Sequence, residues 1–260
     1  MAASEPTISI VIPVLNGQRT IGSCMTSILR TDYPAHRREV IVVDNGSSDA
    51  TRSILDRYPV RVLSEPRRGP SIARNRGIEA ATGEIVAFTD ADCVASQGWL
   101  RELVRSFATG AAGVAGEILP FPPTTPAERY AARIRHLSPE RYLRRATFPF
   151  AVTANLSFRR DVFERTGGFD ADSPRGGEST DFCTRFSRAT GERLHYARLA
   201  VVFHRHRQTT WELFRQHWGY GRGHAYLYIK YRAETPWGWR QTRMSYADLG
   251  RSSARLAGAA

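Results

Sequence analysis

Two aspartates separated by one residue, Asp90 and Asp92, directly follow an apolar run that is typical of a buried strand. Open α/β sheets bind their ligands at the carboxyl ends of strands, so the pair lies where a ligand is expected. Adjacent carboxylates repel each other unless a cation neutralises them, and Mg²⁺ or Mn²⁺ takes oxygen ligands from carboxylates and phosphates together. The pair therefore predicts a divalent metal beside a diphosphate; a solvated turn or a helix cap is the alternative for such a triplet alone.

Polar residues also follow the first two predicted strands. Pro13, Val14 and Asn16 form a loop that suits the wrapping of a nucleotide base, although a generic loop would have the same composition. Asp44 ends the second strand, where its carboxylate can accept a hydrogen bond from a base or a ribose. An ordinary turn before a capped helix is the alternative for this segment.

Other residues with chemical capacity come from helices and from a late strand. Arg74 lies on the helix before Asp90 and can donate two hydrogen bonds to a diphosphate, whereas an exposed helix charge is the commoner role. Glu178 and Asp181 lie near the start of a late helix expected over Thr180–Ala189, where they predict either a general base or electrostatic capping. His204 ends the last strand and is a candidate third metal ligand. We leave His206 out, because we expect it on the opposite side of the strand from His204.

The order of predicted elements favours an α/β fold in which helices cover a parallel sheet. Apolar runs predict strands, and residues with apolar spacing of three and four predict the intervening helices. The first strands are expected at Ile8–Pro13, Val40–Val43, Val60–Leu63 and Ile85–Thr89. Further on, we expect helical structure over Ala127–Phe150, short strands at Leu194–Tyr196 and Ala200–Phe203, and a helix over Thr210–Tyr231.

Composition narrows the class of protein and of partner. The chain has 260 residues, a net charge of +12 and 42% hydrophobic residues, which are values of a globular domain with a basic surface. Such a surface favours anionic partners. No charged-then-apolar leader and no apolar run of about 20 residues is present, so we expect a cytoplasmic protein, either soluble or peripheral on the inner face of the cell membrane.

Taken in order, the motifs resemble those of the family 2 glycosyltransferases, which have the GT-A fold. The series runs from Ile8 to Arg207 and comprises SIVIPVLN, VIVVDNGSSDAT, GPSIARNRG, FTDAD, ANLSFRR, GGFD, GGESTDF and VFHRH. The resemblance implies a GT-A fold with a Rossmann-like mixed sheet flanked by helices and a helical C-terminal extension. It also implies an inverting transferase that moves a sugar from a nucleotide-diphosphate donor to a hydroxyl acceptor, in cell-envelope polysaccharide or glycolipid synthesis.

The resemblance further assigns roles to matching positions. Binding of the nucleotide sugar is implied for Pro13, Val14, Asn16, Asp44, Arg74, Asn75, Asp90 and Asn155. Binding of Mn²⁺ or Mg²⁺ is implied for Asp90, Asp92 and His204, with Asp92 the direct ligand. Phe169 and Asp170 are expected near the donor sugar and the acceptor.

One position departs from the family motif. An aspartate commonly follows the glutamate and acts as the base, but here that position is Ser179, whose hydroxyl is no base at neutral pH. Glu178, or else Asp181, must then take the proton from the acceptor. The alternative is a catalytically inactive relative that only binds nucleotide sugar or protein. A nucleotidyltransferase would need a glycine-rich basic loop after the first strand, and Val14–Arg19 contains only Gly17.

We divide the chain into a catalytic domain, residues 1–207, and a helical extension, residues 208–260. The extension mixes aromatic residues with arginines, which favours a membrane surface or a lipid-phosphate acceptor; a helix packed over the domain is the equal alternative. No nucleic-acid motif is present. The acceptor is expected to be a saccharide or a lipid-linked molecule.

Overall fold

The apolar runs of the chain form an eight-stranded mixed sheet within residues 5–144 and 149–233, which are the residues that this computed structural model describes. Most strand residues are buried, as expected for a sheet that is covered on both faces. The strands are β1 (Ile8–Val14), β2 (Arg38–Asp44), β3 (Arg61–Ser64), β4 (Ile85–Thr89), β5 (Cys93–Ala95), β6 (Gly113–Pro120), β7 (Asn155–Arg159) and β8 (His195–His204).

The strand order places the carboxyl ends of β1, β2 and β4 beside one another. Across the sheet the order is β3-β2-β1-β4-β7-β6-β8-β5, and β1 is parallel to both β2 and β4. By contrast, β7 is antiparallel to β4 and β6, and β8 is parallel to β6. Ligands of open α/β sheets bind in the crevice outside the carboxyl ends of the strands, so this edge is where a site is expected.

Helices cover both faces of the sheet. Among the described residues they are α1 (Ile21–Leu29), α2 (Thr51–Leu55), α3 (Pro70–Ala80), α4 (Trp99–Phe107), α5 (Pro126–Ile134), α6 (Pro139–Leu143), α7 (Asp161–Thr166), α8 (Glu178–Thr190) and α9 (Thr210–Tyr231). Apolar residues at helical spacing, such as Ile21, Met25 and Ile28 of α1, are buried against the strands. One core lies between the sheet and α1 and α4, and a second lies between the sheet and α3, α7 and α8.

The predicted helix over Thr210–Tyr231 is confirmed as α9. It begins at a capping box, in which the Glu212 N–H donates to Thr209 Oγ1 and the Thr209 N–H donates to the Glu212 carboxylate, both at 3.2 Å. Such reciprocal bonds satisfy two backbone groups that a helix start leaves unpaired.

Two predicted segments differ from the structure. The stretch Ala127–Phe150 does not form one helix, because α5 ends at Arg135 with a left-handed φ of +46° and Pro139 then begins α6. The two short strands predicted at Leu194–Tyr196 and Ala200–Phe203 are one continuous strand, β8. Its pairing with β6 shifts register between Gly116 and Glu117, and this local irregularity is not visible as a break in the sequence of β8.

Candidate active site

A cleft of about 980 Å³ lies at the carboxyl ends of β1, β2 and β4. Its walls come from the loops after β1 and β2, the start of α8, the end of β8 and one face of α9. Of the residues predicted to form the site, the cleft is lined by Pro13, Val14, Asn16, Arg74, Asp90, Asp92, Glu178 and His204. The remaining predicted residues lie outside this lining, and they are Asp44, Asn75, Asn155, Phe169, Asp170 and Asp181.

Hydrogen bonds join the loops after β1 and β2 into one wall. The Asn16 N–H donates to Ser47 Oγ at 2.9 Å, and the Ser48 N–H donates to Asn16 Oδ1 at 2.8 Å. Asn16 has a φ of +52°, a left-handed conformation that asparagine tolerates better than most residues. Below this wall, Asp44 Oδ1 accepts a hydrogen bond from the Ser47 N–H at 2.9 Å. Asp44 therefore shapes the loop that Asn16 presents to the cleft.

Asn45 also builds this wall, although the sequence analysis did not select it. Its Nδ2 donates to the carbonyl oxygens of Glu65 and Arg67 at 2.9 and 2.7 Å, and its Oδ1 accepts from the Gly69 N–H at 2.8 Å. These three bonds fix the loop that leads into α3. In the sequence, its position directly after Asp44 and at the end of a strand could have indicated a site residue.

Arg74 lies between two carboxylates in the cleft. Helix α3 packs unusually closely on β1, since a Cβ atom on Gly77 would lie only 2.2 Å from Val11 Cγ1. The Arg74 side chain is 5% exposed; its Nη2 lies 3.0 Å from Asp90 Oδ1, and its Nη1 lies 3.6 Å from Glu178 Oε1. Its Nε and Nη1 have no hydrogen-bond partner within residues 5–144 and 149–233. The guanidinium can therefore still donate to a bound anion.

Asp92, Cys93 and His204 form a group whose ligand atoms all lie within 4.8 Å of one another. His204 Nε2 lies 3.4 Å from Asp92 Oδ1, because β5 pairs Cys93 with His204 across the strands. Asp92 Oδ1 and His204 Nδ1 are buried and lack hydrogen-bond partners in the described part of the chain. A carboxylate and an imidazole fit Mn²⁺ well, and the carboxylate also fits Mg²⁺.

Cys93 and Asp90 differ from these two residues in their readiness to bind a metal. Burial, reinforced by the charges of Asp92 and Asp90, raises the pKa of the Cys93 thiol well above its usual range. Thiolate is in addition a soft ligand, whereas Mn²⁺ and Mg²⁺ favour carboxylate oxygens. Asp90 is held by Arg74 and lies outside the group of three. Asp92 and His204 are therefore the ligand pair that the geometry favours.

At the start of α8, Glu178 lines the cleft, whereas Asp181 lies outside the lining. Glu178 is 7% exposed and lines the cleft, as does Ser179. Asp181 has no exposed surface, and its Oδ1 accepts a hydrogen bond from the Tyr231 hydroxyl at 2.7 Å. The role of Asp181 as an alternative base stays a prediction, and this placement favours Glu178 instead.

Lys230, the only lysine of the sequence, links α9 to two aspartates. Its Nζ lies 2.5 Å from Asp170 Oδ2 and 2.7 Å from Asp181 Oδ1. The Tyr226 hydroxyl also donates to Asp170 Oδ2, at 2.5 Å. Burial alone would raise the pKa of Asp170, but these hydrogen bonds lower it to about 2. Asp170 thus anchors α9, and its expected place near the sugar and the acceptor stays a prediction.

Asn75 and Asn155 hold neighbouring segments in place. The Asn75 amide makes two bonds with the backbone of Phe169, donating to its carbonyl at 2.8 Å and accepting from its N–H at 2.7 Å. Asn155 is fully buried; its Oδ1 accepts from Trp99 Nε1, and its Nδ2 donates to one carbonyl of β6 and one of β8, all at 2.8 Å. Their donor-binding roles stay predictions, and their contacts support a structural role.

His206 was expected on the opposite side of the strand from His204, but it lines the same cleft. Because β8 ends at His204, His206 lies beyond the strand, where side chains need not alternate between two faces. Its exclusion from the metal ligands stays a prediction. Its ring centroid lies 5.3 Å from that of His204 and 5.1 Å from that of His136, which in turn lies 5.5 Å from His217. Burial, and then the neighbouring histidines, lower the pKa of His136 to about 3 and that of His206 to about 4. Both rings are neutral at pH 7.

Helix α9 supplies a wall of the cleft through residues spaced by four, namely Glu212, Gln216, Tyr220 and His224. The described part of the 208–260 segment is thus part of the site, while residues 234–260 lie outside the described residues. The division at residue 207 stays a prediction. Within the described ranges, no helix has both the length and the apolarity that a membrane span requires.

Comparisons with known proteins identify the family. The profile described as Glycosyl transferase family 2 matches residues 9–167 of the chain. Glycosyltransferase AglE of Haloferax volcanii is 34% identical over 187 residues, which cover 68% of this chain and 60% of AglE. The chain belongs to glycosyl transferase family 2. The resemblance drawn from the motifs is therefore confirmed, although the chain spans less than two thirds of the length of AglE.

Two further similarities are to a second curated relative and to a solved structure. The glucosyl-dolichyl phosphate glucuronosyltransferase of Haloferax volcanii is 27% identical over 243 residues, covering 83% of this family 2 chain and 76% of the relative. The mannosyltransferase PcManGT from Pyrobaculum calidifontis, solved in complex with GDP-Man and Mn²⁺, superposes with a TM-score of 0.64. Its identity is 21%, and the match covers 98% of this chain and 81% of PcManGT. The predicted GT-A fold is confirmed.

Proposed function

We propose that this family 2 member transfers a sugar from a nucleotide-diphosphate donor to a hydroxyl acceptor, with inversion at the anomeric carbon. One observation carries the proposal: the Asp92–His204 pair, with unpaired ligand atoms, shares a cleft with the contact between Arg74 and Glu178. A metal site, a cation for a diphosphate and a carboxylate for proton transfer are the three groups that this reaction needs.

Asp92 and His204 would hold Mn²⁺ or Mg²⁺, with Asp90 beside them. Such an ion supplies Lewis-acid stabilisation of the charge that develops on the departing diphosphate. The Mn²⁺ bound with GDP-Man in PcManGT supports this choice of metal. Pro13, Val14 and Asn16, in the loop after β1, would face the nucleotide. Hydrogen bonds join this loop to the turn after β2, which Asp44 stabilises.

Arg74 would act on the same leaving group. Among the described residues, its Nε and Nη1 have no hydrogen-bond partner, although Nη1 lies 3.6 Å from Glu178 Oε1, so both N–H groups can donate to a diphosphate oxygen. A preorganised cation in a dry site stabilises developing charge more strongly than a solvated one does. The bond between the anomeric carbon and the diphosphate oxygen then breaks with its electron pair remaining on the diphosphate.

Glu178 would accept the proton of the attacking hydroxyl. As the acceptor oxygen forms its bond to the anomeric carbon from the opposite face, the hydroxyl proton passes to the Glu178 carboxylate. One displacement of this kind inverts the anomeric configuration without a covalent enzyme intermediate. The position of Glu178 in the cleft, and of Asp181 outside it, supports this assignment.

For the acceptor, we propose a saccharide or lipid-linked hydroxyl in the synthesis of a cell-envelope polysaccharide or glycolipid, at the inner face of the cell membrane. The similarity to a glucosyl-dolichyl phosphate glucuronosyltransferase supports a lipid-linked acceptor. The basic surface, with a net charge of +12, favours an anionic carrier.

Ser179 favours a second candidate, an inactive relative that binds nucleotide sugar without transferring it. Replacing Ser179 with aspartate restores the carboxylate of the family motif at the edge of the same cleft. If the chain is inactive for lack of a base, Ser179→Asp gains turnover that the wild type lacks. If Glu178 is the base, the wild type already turns over and Ser179→Asp brings no comparable gain.

Turnover of UDP-, GDP- and dTDP-sugars with Mn²⁺ or Mg²⁺ tests the proposal, with the anomeric configuration of the product read by NMR. The expected result is metal-dependent transfer with an inverted product, which Glu178→Gln abolishes and Glu164→Gln, at an exposed position on α7, leaves unchanged. A retained anomeric configuration would refute the single displacement. Full activity of Glu178→Gln would remove Glu178 from the role of base.

A further inference from the structure

The outward side of α9 carries several exposed apolar side chains. We define this α9 aromatic face as Trp211, Phe214, Trp218 and Ile229, whose exposed fractions are 64%, 54%, 67% and 64%. Trp211 and Phe214 stack with ring centroids 5.5 Å apart, and Phe214 lies 6.2 Å from Trp218. Exposed aromatic residues at this spacing occupy one side of a helix and mark a binding surface rather than a core.

After the first turn of α9, its charged side chains are all positive. Arg215, Arg222 and Arg232 are exposed, and the sequence holds no acidic residue from Leu213 to Arg232. The one carboxylate near the helix start, Glu212, is held in the capping box. Aromatic residues interleaved with arginines are the composition of helices that lie in a membrane interface.

We propose that the α9 aromatic face docks the protein on an anionic phospholipid bilayer. Lipid head groups can satisfy the arginines while the aromatic rings enter the boundary with the acyl chains. A second protein copy or an apolar segment would instead bury these arginines in a poorly polar interface, which is costly for an unpaired charge. The interleaving of charge and ring therefore favours lipid over protein as the occupant.

Docking through the α9 aromatic face would also place the cleft close to the bilayer surface. Gln216 and Tyr220, on another side of α9, line the cleft, so one helix separates the cleft from the bilayer surface. Because a helix with its side chains is about 10 Å across, an acceptor anchored in the lipid can reach the site. This consequence rests on the proposed function, whereas the docking itself does not.

Co-sedimentation with phosphatidylcholine vesicles, with or without phosphatidylglycerol, tests the docking. The wild type is expected to sediment with the anionic vesicles and to be released by high salt, since exposed charges are screened. The triple variant Trp211→Ser, Phe214→Ser, Trp218→Ser should lose this binding. A matched control is Leu199→Ser, which removes an apolar side chain that is 68% exposed on β8, and it should bind as the wild type does.

Equal vesicle binding by the triple variant and the wild type would overturn the proposal, as would failure of the wild type to bind. Sedimentation equilibrium identifies the remaining occupant: a wild-type dimer that the triple variant converts to monomers, without vesicle binding, would assign the face to a second copy. Circular dichroism and urea unfolding check that the triple variant is folded. Vesicle binding without any sugar transfer would refute the proposed function and leave the docking intact.

Discussion

A methyl group added at Gly223 is expected to displace the loop that carries Glu178. Helix α9 crosses this loop so closely that a Cβ atom at residue 223 would lie 2.5 Å from the Gly177 nitrogen and 2.6 Å from the Gly176 carbonyl carbon. The same loop positions the proposed base, because the Gly176 N–H donates to Glu178 Oε2 at 2.5 Å. Any movement of Gly176 is thus passed to the carboxylate.

The size of the effect follows from the contact distances. Ordinary contacts between heavy atoms are about 3.5 Å, so the loop or α9 must move by roughly 1 Å. Overpacking of this kind costs about 1–3 kcal/mol, against which alanine adds about 0.5–1 kcal/mol of helix stability over glycine. A misplacement of about 1 Å at a catalytic group can lower the rate about 100-fold. We therefore expect Gly223→Ala to lose about 1–2 kcal/mol of unfolding free energy and about 100-fold in kcat.

Gly221→Ala, two residues away on the same helix, is the matched control. A Cβ atom there would meet no other atom of the described residues within 4 Å. This variant should gain about 0.5–1 kcal/mol from helix propensity and keep the wild-type kcat. Urea unfolding and steady-state kinetics with the best donor measure both quantities. Equal kcat values for the two alanine variants would refute the claim that the contact between α9 and the loop positions Glu178.

Two further predictions concern residues that anchor the site. Lys230→Met removes one of the three hydrogen-bond donors, beside Tyr226 and the Asp172 N–H, that against the effect of burial lower the pKa of Asp170 from 3.8 to about 2. A carboxyl with a lowered pKa stabilises the fold fully above its unfolded pKa and loses that contribution as the pH falls through its folded pKa. Urea unfolding should therefore show a loss of about 1 kcal/mol at neutral pH, which is part of the roughly 2 kcal/mol that the whole shift represents, and this loss should shrink below about pH 4. A loss independent of pH would contradict the assignment. Asn155→Leu leaves three buried groups without their Asn155 partner, namely Trp99 Nε1 and the carbonyl oxygens of Glu117 and Ala200. It should lower the unfolding free energy by about 3–5 kcal/mol while the KM for the donor is unchanged. A raised KM with unchanged thermal stability would instead return Asn155 to the donor site.

The sequence was sufficient to predict the parallel strands β1, β2 and β4 and several of the residues at their carboxyl ends, but not the antiparallel pairings of β5 and β7. Continuous apolar runs such as Ile8–Val14 can be buried only in a covered sheet, and in parallel strands the residues that follow such runs meet at one edge. Asp90, Asp92 and His204 were found in this way, and the structure brings the last two within 3.4 Å. The apolar pattern of each strand, together with the rule that ligands bind at the carboxyl ends of parallel strands, is enough to predict these residues.

The remaining parts depend on contacts between distant residues. Asn155 follows the pattern of a site residue, yet its amide faces Trp99 and the carbonyls of two other strands, which no local pattern records. The role of α9 as a cleft wall depends on the close approach of Gly223 to Gly177, and neither glycine has a distinctive sequence context. Asp181 was a candidate base because its neighbours match a motif, but its partner Lys230 lies 49 positions further along the chain.

Calorimetric titration of nucleotide-diphosphate sugars, with Mn²⁺ and with EDTA, most directly tests the claim that this cleft is a metal-assisted donor site. The account predicts that one donor binds more tightly with Mn²⁺ than with EDTA, and that Asp92→Asn loses this difference. Asp172→Asn, at an exposed aspartate outside the cleft, should keep it. Equal metal dependence in Asp92→Asn and the wild type, or donor binding that is indifferent to the metal throughout, would contradict the account.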